Sequence, residues 1–332
     1  MDAVDTIGWG VLAPGRIAHS FCRDLAQVPG ARLVASGSRS RERAEEFAAQ
    51  HGGRAHGSYE DLVADPDVDV VYVASPHVFH EEHTMLALEA GKAVLCEKPM
   101  TLDTGTTERL FAEAERRGLF CMEAMWTACN PVVRRLLALL GTETHGSPRL
   151  VRADLGFPVR RDPADRLLDP ALGGGALVDM GIYPLTFAHL VLGEPEQLRA
   201  VGTLAPSGID LEVAISGRYA GGALATLSST LTAATPRTAA VATDRGLFTL
   251  ERDFHHPTRV HWQPEEGPGS WLEGERPVIG QGYGNEALEV QECLRAGRMT
   301  SELVPPTQTI SVMRQLDDVR RQIGLEYGAS SG

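Results

Sequence analysis

The sequence lacks the features that mark several classes of protein. Its cysteines are odd in number and none forms a CxxC pair, so neither a disulfide framework nor a thiolate zinc site is indicated. No uninterrupted apolar run is long enough to span a membrane, and the first residues do not have the basic start of a secretory signal. We therefore predict a cytoplasmic protein with no membrane partner.

Positive charge is also scarce. The 332 residues contain 31 Lys and Arg against 44 Asp and Glu, which gives a formal net charge of −13. Such a balance repels polyanions and argues against nucleic acid as a partner. A phosphorylated small molecule would need a local basic patch, and early arginines can supply one: Arg16, Arg39, Arg41 and Arg43.

Two different patterns of secondary structure follow one another along the chain. The first 123 residues alternate apolar strands with helical segments, which predicts a doubly wound parallel sheet. Residues 150–250 are rich in predicted strands, interrupted by a helix over about 175–192. Apolar residues recur with a helical period over 307–325, which predicts a final helix. We predict an α/β fold with a Rossmann dinucleotide-binding domain (1–123) and an α+β domain with a large, mostly antiparallel open sheet (124–332). The aperiodic stretches 158–170 and 263–276 are predicted loops.

The segment after the first strand is similar to a dinucleotide-binding turn. Gly15 and Ala18 take the second and third small-residue positions, and Arg16 and Ile17 open the following helix. Ala13 stands where the first glycine is usual, so we expect a negative φ there if the turn is to bind a pyrophosphate. The alternative is a purely structural turn.

Polar residues follow two further strands. Ser75, Pro76 and His77 come after residues 70–74, and Glu97, Lys98 and Pro99 end the next strand. Open parallel sheets bind ligands beyond the carboxyl ends of their strands, so Lys98 is a candidate site residue rather than a surface lysine.

The histidines His77, His80 and His83 are spaced by three. Steps of three drift by about sixty degrees around a helix, and no HExxH pattern completes a zinc site. We predict no metal and expect His83 at the surface.

Together, six segments resemble the Gfo/Idh/MocA oxidoreductases over nearly the whole chain. They are residues 13–18, 74–77 with His80, 96–99, 122–127, 173–184 and 292–297. Within that family the chain most resembles the dimeric dihydrodiol dehydrogenases and the NADP-dependent aldose dehydrogenases.

The resemblance implies hydride transfer between a nicotinamide cofactor and a secondary alcohol or ketone of a sugar, cyclic polyol or dihydrodiol. It also implies a homodimer or homotetramer formed through the open sheet face of the second domain. Two alternatives are a ketosugar reductase of secondary metabolism and a catalytically silent NAD(P)-binding regulator.

The end of the second strand favours NADP over NAD, although NAD remains possible. An acid about twenty residues beyond the turn usually binds the ribose hydroxyls of NAD. Here Ser38 and Arg39 occupy that region, and no acid precedes Glu42. The expected cofactor contacts are Ala13, Gly15, Arg16, Ile17, Ser38, Arg39, Ser75, Pro76, His77, His80, Glu97 and Lys98.

The resemblance makes Lys98 the central catalytic residue and implies a cis Lys98–Pro99 bond that aims its side chain inward. Tyr183 is expected to take the hydroxyl proton, and a nearby ammonium would favour its phenolate. Asp179, four residues earlier, shares its helix face and is expected to be catalytic as well. Lys98, Asp179 and Tyr183 are also expected to bind the substrate. Trp126 is expected to line the substrate pocket, with burial in the core as the alternative.

Overall fold

The computed structural model describes residues 6–159 and 165–326. The chain divides into two compact units: unit 1 comprises Met1–Cys129 and Val278–Thr309, and unit 2 comprises Asn130–Pro277 and Ile310–Gly332. The predicted division at 123/124 stays a prediction. The segment 278–309 belongs to unit 1, a return of the chain that local periodicity cannot reveal.

Ten α-helices lie within the described residues. They are α1 (Arg16–Leu25), α2 (Arg41–His51), α3 (Tyr59–Val63), α4 (His80–Glu89), α5 (Thr104–Arg117), α6 (Trp126–Cys129), α7 (Pro131–Leu139), α8 (Ile182–Leu192), α9 (Tyr283–Arg295) and α10 (Pro306–Ile323).

Unit 1 is built on a six-stranded parallel sheet. Its strands are β1 (Ile7–Leu12), β2 (Ala31–Gly37), β3 (Arg54–His56), β4 (Val70–Val73), β5 (Ala93–Glu97) and β6 (Cys121–Ala124). Their order, β3-β2-β1-β4-β5-β6, is that of a Rossmann fold with its switch point between β1 and β4. The predicted α/β class is confirmed, because every residue of β1, β4, β5 and β6 is buried, as in a sheet covered on both faces.

Unit 2 carries an eight-stranded sheet. Its strands are β7 (Pro148–Gly156), β8 (Pro195–Leu204), β9 (Asp210–Tyr219), β10 (Leu224–Thr230), β11 (Ala239–Thr243), β12 (Gly246–Leu250), β13 (Val260–Pro264) and β14 (Ser270–Leu272). The pairing is antiparallel throughout except between β7 and β10. The mostly antiparallel sheet is thus confirmed.

The predicted loops of unit 2 contain some regular structure. The 263–276 prediction is wrong in part, because β13 ends and β14 forms within it. In the 158–170 stretch, a 3₁₀ turn spans Arg166–Leu168; residues 160–164 lie outside the described part of the chain.

The helix predicted over 175–192 begins as a π-helical turn, Leu177–Gly181, and continues as α8. The stretch Pro170–Leu192 is apolar and long enough to span a membrane by length and composition, which the sequence analysis did not detect. Because 78% of its most apolar window is buried inside the structure, it has the burial of a core helix.

One face of the unit 2 sheet is open. Along β10, Ala225 and Leu227 are buried while Leu224 and Thr226 are exposed and Ser228 is partly exposed, as the alternation in the sequence predicts. Val201 of β8 lies on the same face with 72% of its surface exposed.

Candidate active site

The turn after β1 corrects one expectation. Ala13 has a φ of +59°, so the predicted negative φ is wrong. The Ala13 N–H donates to the carbonyl of Gly37 at 3.0 Å, which fixes the chain where it leaves β1. An alanine adopts this left-handed conformation at a cost of about 1–2 kcal/mol, so the turn keeps a glycine-type geometry without the glycine.

The first turn of α1 is open to a ligand. Gly15 precedes α1 in an extended conformation, and no side chain caps the helix. A Cβ built on Gly15 would meet only the carbonyl oxygen of Ala13, at 3.9 Å, so the space beside Gly15 is not filled by any described residue. Uncapped N–H groups at a helix N-terminus suit an anion such as a pyrophosphate.

Some of the predicted cofactor-binding residues that follow β2 and β4 line one cavity of about 400 Å³. Arg39, Ser75 and Pro76 contribute to its wall together with Phe79, and the Arg39 guanidinium lies 6.0 Å from the centre of the Phe79 ring. Ser38, at the end of β2, accepts a hydrogen bond from the Ser40 N–H at 3.2 Å. The structure therefore brings Arg39, Ser75 and Pro76, which follow two different strands, into one recess.

The Ser75 side chain is buried, and its Oγ has no hydrogen-bond partner among the described residues. An orphaned hydroxyl at the carboxyl end of a parallel strand is costly unless a ligand or water satisfies it. Together with the open space at Gly15, it fits a site that holds a polar cofactor.

His80 ties two strand ends together. Its Nδ1 lies 2.8 Å from the carbonyl oxygen of Pro99, and its Nε2 lies 2.9 Å from that of Ser75. Burial lowers the pKa of the imidazole to about 4, against the effect of the two carbonyls. Because both carbonyl oxygens can only accept, a neutral ring donates to one of them and a protonated ring donates to both. Its assignment as a cofactor contact stays a prediction. His77, in the 3₁₀ turn before α4, is buried.

His83 is not the surface residue that we expected. It is 6% exposed and packs against the rings of Tyr59 and Phe79, at centroid distances of 4.7 and 5.7 Å. The residues next to His83 in the sequence are polar, which suggested exposure. Its aromatic neighbours come instead from α3 and from the turn before α4, and local sequence does not reveal them.

Lys98 follows β5 at the carboxyl edge of the sheet and is buried. The Lys98–Pro99 peptide bond is cis, as expected. The backbone N–H of Lys98 donates to Glu97 Oε2 at 3.2 Å, and the Tyr72 hydroxyl donates to Glu97 Oε1. Glu97 thus links the backbone of Lys98 to the neighbouring strand β4.

Sequence analysis missed two further buried acids of unit 1. Glu123 accepts hydrogen bonds from the Met100 N–H at 2.9 Å and the Thr309 hydroxyl at 3.1 Å. Burial raises its pKa to about 7, although these bonds and Lys98 lower it. On α9, Glu286 is completely buried with neither oxygen hydrogen-bonded to a described residue; burial and then Glu97 raise its pKa well above the ordinary value.

Trp126 is 6% exposed and stacks on Tyr283 of α9, with centroids 4.1 Å apart and an interplanar angle of 14°. The Tyr283 N–H donates to Asp24 Oδ2 at 3.1 Å, so α9 is also attached to α1. One face of the indole is covered by protein. Its assignment to the substrate pocket stays a prediction.

Unit 2 places Asp179 and Tyr183 at the start of one buried helix. Asp179 lies on the π-helical turn and accepts a hydrogen bond from Arg166 Nη2 at 3.0 Å. Tyr183 is 8% exposed and lies against the ring of His255, with centroids 4.8 Å apart. π-Helical turns are rare and occur often at functional sites.

The glycines before this turn are required by their surroundings. A Cβ at Gly174 would lie 2.7 Å from the carbonyl oxygens of Arg166 and Leu167. Gly175 has a φ of +138°, and its Cβ would lie 2.1 Å from Asp210 Oδ1. The other oxygen of Asp210 accepts from the Leu177 N–H at 2.6 Å and so anchors the turn to β9.

Residues 7–125 match the "Oxidoreductase family, NAD-binding Rossmann fold", and residues 133–249 match the "GFO/IDH/MocA C-terminal domain". The chain belongs to the GFO/IDH/MocA oxidoreductase family. The recognition made from the six sequence segments is confirmed.

Curated members of the family match along nearly the whole chain. The trans-1,2-dihydrobenzene-1,2-diol dehydrogenase of Bos taurus is 36% identical over 328 residues, covering 96% of this chain and 97% of that protein. The corresponding protein of Mus musculus is 34% identical over 337 residues, with the same coverage.

Solved structures of family members are also similar. An aldose-aldose oxidoreductase from Caulobacter crescentus, complexed with glycerol, aligns with a TM-score of 0.87 and 25% identity, covering 96% of this chain and 97% of that one. A 3-ketoreductase from Actinomadura kijaniata, in complex with NADP and TDP-benzene, aligns with a TM-score of 0.84 and 28% identity, covering 96% and 98%.

Each unit of this GFO/IDH/MocA protein carries its own group of predicted site residues. Unit 1 brings the turn after β1 and the ends of β2, β4 and β5 to one edge of its sheet, as the strand order requires. Unit 2 brings Asp179 and Tyr183 to one helix start. The sequence did not predict that His255 lies beside Tyr183. The one feature of the sequence that marks His255 is its pairing with His256.

Proposed function

We propose that this protein is an NADP-dependent oxidoreductase that transfers a hydride between the nicotinamide and a secondary alcohol or ketone of a sugar, cyclic polyol or dihydrodiol. The observation that carries the proposal is the strand-end edge of unit 1. There an uncapped α1 N-terminus, the open space at Gly15, the orphaned Ser75 hydroxyl and Lys98 stand at the positions where this fold binds a dinucleotide. The names of the relatives support the substrate classes.

The residues of unit 1 divide the binding of the cofactor among them. The N–H groups at the start of α1 bind the pyrophosphate, and Ala13 and Gly15 let the backbone approach it. Arg39 binds the 2′-phosphate, since no acid stands at the end of β2 to prefer a free hydroxyl. Around the nicotinamide end we place Ser75, Pro76, His77, His80, Glu97 and Lys98. When bound, NADP supplies the carbon that exchanges the hydride.

Lys98 provides fixed positive charge for the reacting oxygen. Hydride removal from a carbinol builds alkoxide character on that oxygen, and a preorganised ammonium stabilises it. Tyr72 and the Lys98 N–H both donate to Glu97, which holds the strand end that presents Lys98. Because Lys98 is buried, this charge acts with little screening by water.

Tyr183 provides the hydroxyl that exchanges a proton with the substrate oxygen. Asp179 is the less suitable base, because its ion pair with Arg166 stabilises the carboxylate. We assign Asp179 to orienting the substrate hydroxyl and Trp126 to the substrate pocket. Oxidation should accelerate with rising pH, because a phenol, whose ordinary pKa is about 10, accepts the substrate proton only after losing its own.

A screen of polyols, aldoses and cyclic diols with NADP⁺, followed by the absorbance of the reduced cofactor, tests the proposal. Turnover of at least one class is expected. NADPH binding without turnover of any of these alcohols, or of the matching ketones in reverse, would instead support the silent regulator.

The opposite direction is the second candidate function. The 3-ketoreductase that aligns over nearly the whole chain favours reduction of a keto sugar. Comparing kcat/KM for ketone reduction with that for alcohol oxidation at one pH distinguishes the two directions, while both use the same residues.

A further inference from the structure

Residues 98–100, which follow β5 and include Lys98, form what we call the lysine turn. All three residues are buried, and they belong to no helix or strand. Buried backbone groups outside regular structure need partners from side chains or water. Glu97 supplies one, because its Oε2 accepts from the Lys98 N–H at 3.2 Å. The place of Lys98 therefore depends on the side chains that bind this turn.

Two side chains distant in the sequence bind the lysine turn beyond Lys98. His80 of α4 has its Nδ1 2.8 Å from the carbonyl oxygen of Pro99. Glu123 of β6 accepts from the Met100 N–H at 2.9 Å through its Oε1. Met100 is fully buried, so losing the carboxyl group would leave this amide unsatisfied and away from bulk water.

Glu123 is itself held in place at its second oxygen. Oε2 accepts from the Thr309 hydroxyl of α10 at 3.1 Å, and both side chains are buried. On the sheet, Glu123 lies in register with Cys96, two residues before Lys98. Because one oxygen binds the turn and the other binds α10, the carboxyl group cannot rotate without breaking a hydrogen bond. Glu123 thus connects the lysine turn to a strand and to a helix.

The burial of Glu123 is costly, and its hydrogen bonds explain why a polar side chain is placed there. Burial raises the pKa of the carboxyl group to about 7. An apolar side chain would avoid that cost but would leave the Met100 N–H without its partner. Lys98 lowers the same pKa, so its charge lies within electrostatic reach of the carboxyl group. The residue that holds the turn is therefore close to the group that the turn presents.

We propose that Glu123 is a positioning residue that holds the lysine turn and thereby fixes the Lys98 ammonium at the reacting oxygen, an inference that rests on the proposed electrostatic role of Lys98. It acts through its two hydrogen bonds and not through its charge. A preorganised ammonium stabilises developing negative charge only where it is aimed. A displacement of about 1 Å can lower a rate by about a hundredfold. Freeing the Met100 amide should therefore slow the reaction more than it weakens cofactor binding.

Glu123→Leu and Glu123→Gln form the decisive pair. Leucine has no hydrogen-bonding group, so it removes both bonds. Glutamine keeps them, because its amide oxygen can accept from the Met100 N–H and its amide nitrogen can donate to the Thr309 hydroxyl. We expect Glu123→Leu to lower kcat for alcohol oxidation by about tenfold or more, with the Kd for NADPH near that of the parent. Glu123→Gln should restore most of the lost kcat.

A second buried acid of unit 1 provides the matched control. Glu289 of α9 accepts hydrogen bonds from the Ser301 hydroxyl at 2.7 Å and from the Cys293 thiol at 3.3 Å, and neither group belongs to the lysine turn. Glu289→Leu should lower the free energy of unfolding but leave kcat of the folded enzyme near that of the parent. Because both leucine variants lose a buried carboxyl group, a positioning role is what separates their kcat values.

Thr309 offers a milder pair of variants if Glu123→Leu does not fold. Thr309→Val keeps the shape of the side chain and removes the hydroxyl that orients the carboxyl group, so kcat should fall by a smaller factor. Thr309→Ser keeps the hydroxyl and should retain the kcat of the parent. In that case, equal kcat values for Thr309→Val and the parent would overturn the proposal.

Lys98→Ala separates this inference from the proposed function. Without Lys98 there is no ammonium to position, so adding Glu123→Leu to Lys98→Ala should lower kcat no further. A further loss in the double variant would mean that Glu123 acts independently of Lys98 and would overturn the proposal. The parent's kcat in Glu123→Leu, or equal losses in Glu123→Leu and Glu123→Gln, would overturn it as well, the latter by assigning the effect to charge. The parent's kcat in Lys98→Ala would instead contradict the proposed function.

Discussion

Arg39 and Arg41 stand close together at the beginning of α2, but their surroundings differ. Arg41 forms an exposed ion pair with Glu45 at 3.1 Å, one turn along its own helix. Arg39 lines the cavity that also contains Ser75 and lies over Phe79. The two arginines therefore form a natural pair for testing which one binds the additional phosphate of NADP.

We predict that Arg39→Ala weakens NADPH binding by about 1.5–3 kcal/mol, the strength of a charge-assisted contact. NADH binding should change little, because it has no 2′-phosphate. Arg41→Ala should leave both affinities near those of the parent. Fluorescence titration with both cofactors measures this; equal or tighter binding of NADH by the parent would contradict NADP preference.

The strain at Ala13 gives a second prediction. Ala13→Gly should raise the free energy of unfolding by about 1 kcal/mol, because glycine adopts the φ of +59° without steric cost. Ala26→Gly is the matched control, since Ala26 is exposed with a φ of −62° and the change should destabilise by about 0.5–1 kcal/mol. Urea unfolding that shows the same sign for both variants would contradict the strained turn.

The buried Glu286 predicts a pH-dependent stability. Its pKa in the folded protein is raised, so the folded state keeps a proton that the unfolded state releases above about pH 5, and stability falls as pH rises. Between about pH 5 and neutrality, Glu286→Gln should remove up to about 1.4 kcal/mol per pH unit from this slope. Urea unfolding across that range tests it; an unchanged slope would mean that Glu286 is ionised when buried.

At this scale the sequence predicts residue positions better than their environments. The turn and the strand-end residues follow from local spacing. The φ of Ala13 and the burial of His83, Glu123 and Glu286 depend on contacts with residues distant in the chain. The neighbours of His255 are likewise contributed by α8, which its own segment does not disclose.

Among the elements, the π-helical turn Leu177–Gly181 is the one on which the proposed chemistry most depends. It carries Asp179, leads directly to Tyr183 and is anchored through Asp210. The two glycines before it have no room for a Cβ: Gly174 lies against backbone carbonyls, and Gly175 lies against the Asp210 carboxylate. Disturbing this anchor should therefore alter unit 2 while leaving the dinucleotide turn of unit 1 unchanged.

We predict that Gly175→Ala lowers kcat by more than about tenfold, because a misplaced catalytic group is costly. Its Cβ would collide with Asp210. Gly193→Ala, at the other end of α8, also has a positive φ of 78° but no atom within 4 Å of the added carbon. It should cost about 1 kcal/mol of stability and leave kcat near that of the parent. Equal kcat values in the two variants would argue against the anchor, with NADPH affinity as the folding control.

Strands and helices with strong periodicity were predictable, and the shortest elements were not. β3 and β14 have three residues each, too few for a pattern to emerge. The parallel pairing of β7 with β10 joins strands far apart in sequence, and alternation gives no information on partners. The π-helical turn was predicted simply as helix.

At the scale of the whole molecule, the open sheet face is the proposed contact between copies of this chain. Val201, Ala214 and Ser228 lie in register across three strands, and the same face carries the exposed side chains of Arg152 and Arg199. Homodimers and homotetramers remain alternatives. Motifs spread along the chain were enough to predict the family, but a single sequence does not specify the number of subunits.

We predict that Val201→Glu converts the parent oligomer to monomers, since burying an unpaired charge at a contact costs about 3 kcal/mol or more. Light scattering coupled to size exclusion measures the mass. Met299→Glu is the control, because Met299 is also exposed but belongs to unit 1. A monomeric parent would contradict the proposed contact.

The role of Lys98 tests the central claim most directly, and the chain has only one other lysine, Lys92. Lys92 donates to the carbonyls of Asp65 and Val68 at 2.9 and 2.7 Å, a structural role, so Lys92→Ala controls for loss of a lysine. The measurement is kcat for alcohol oxidation together with the Kd for NADPH. We predict that Lys98→Ala lowers kcat by about a hundredfold or more while Kd stays near the parent value, as for the loss of one preorganised electrostatic group. A kcat within about tenfold of the parent would remove Lys98 from the mechanism and contradict the account.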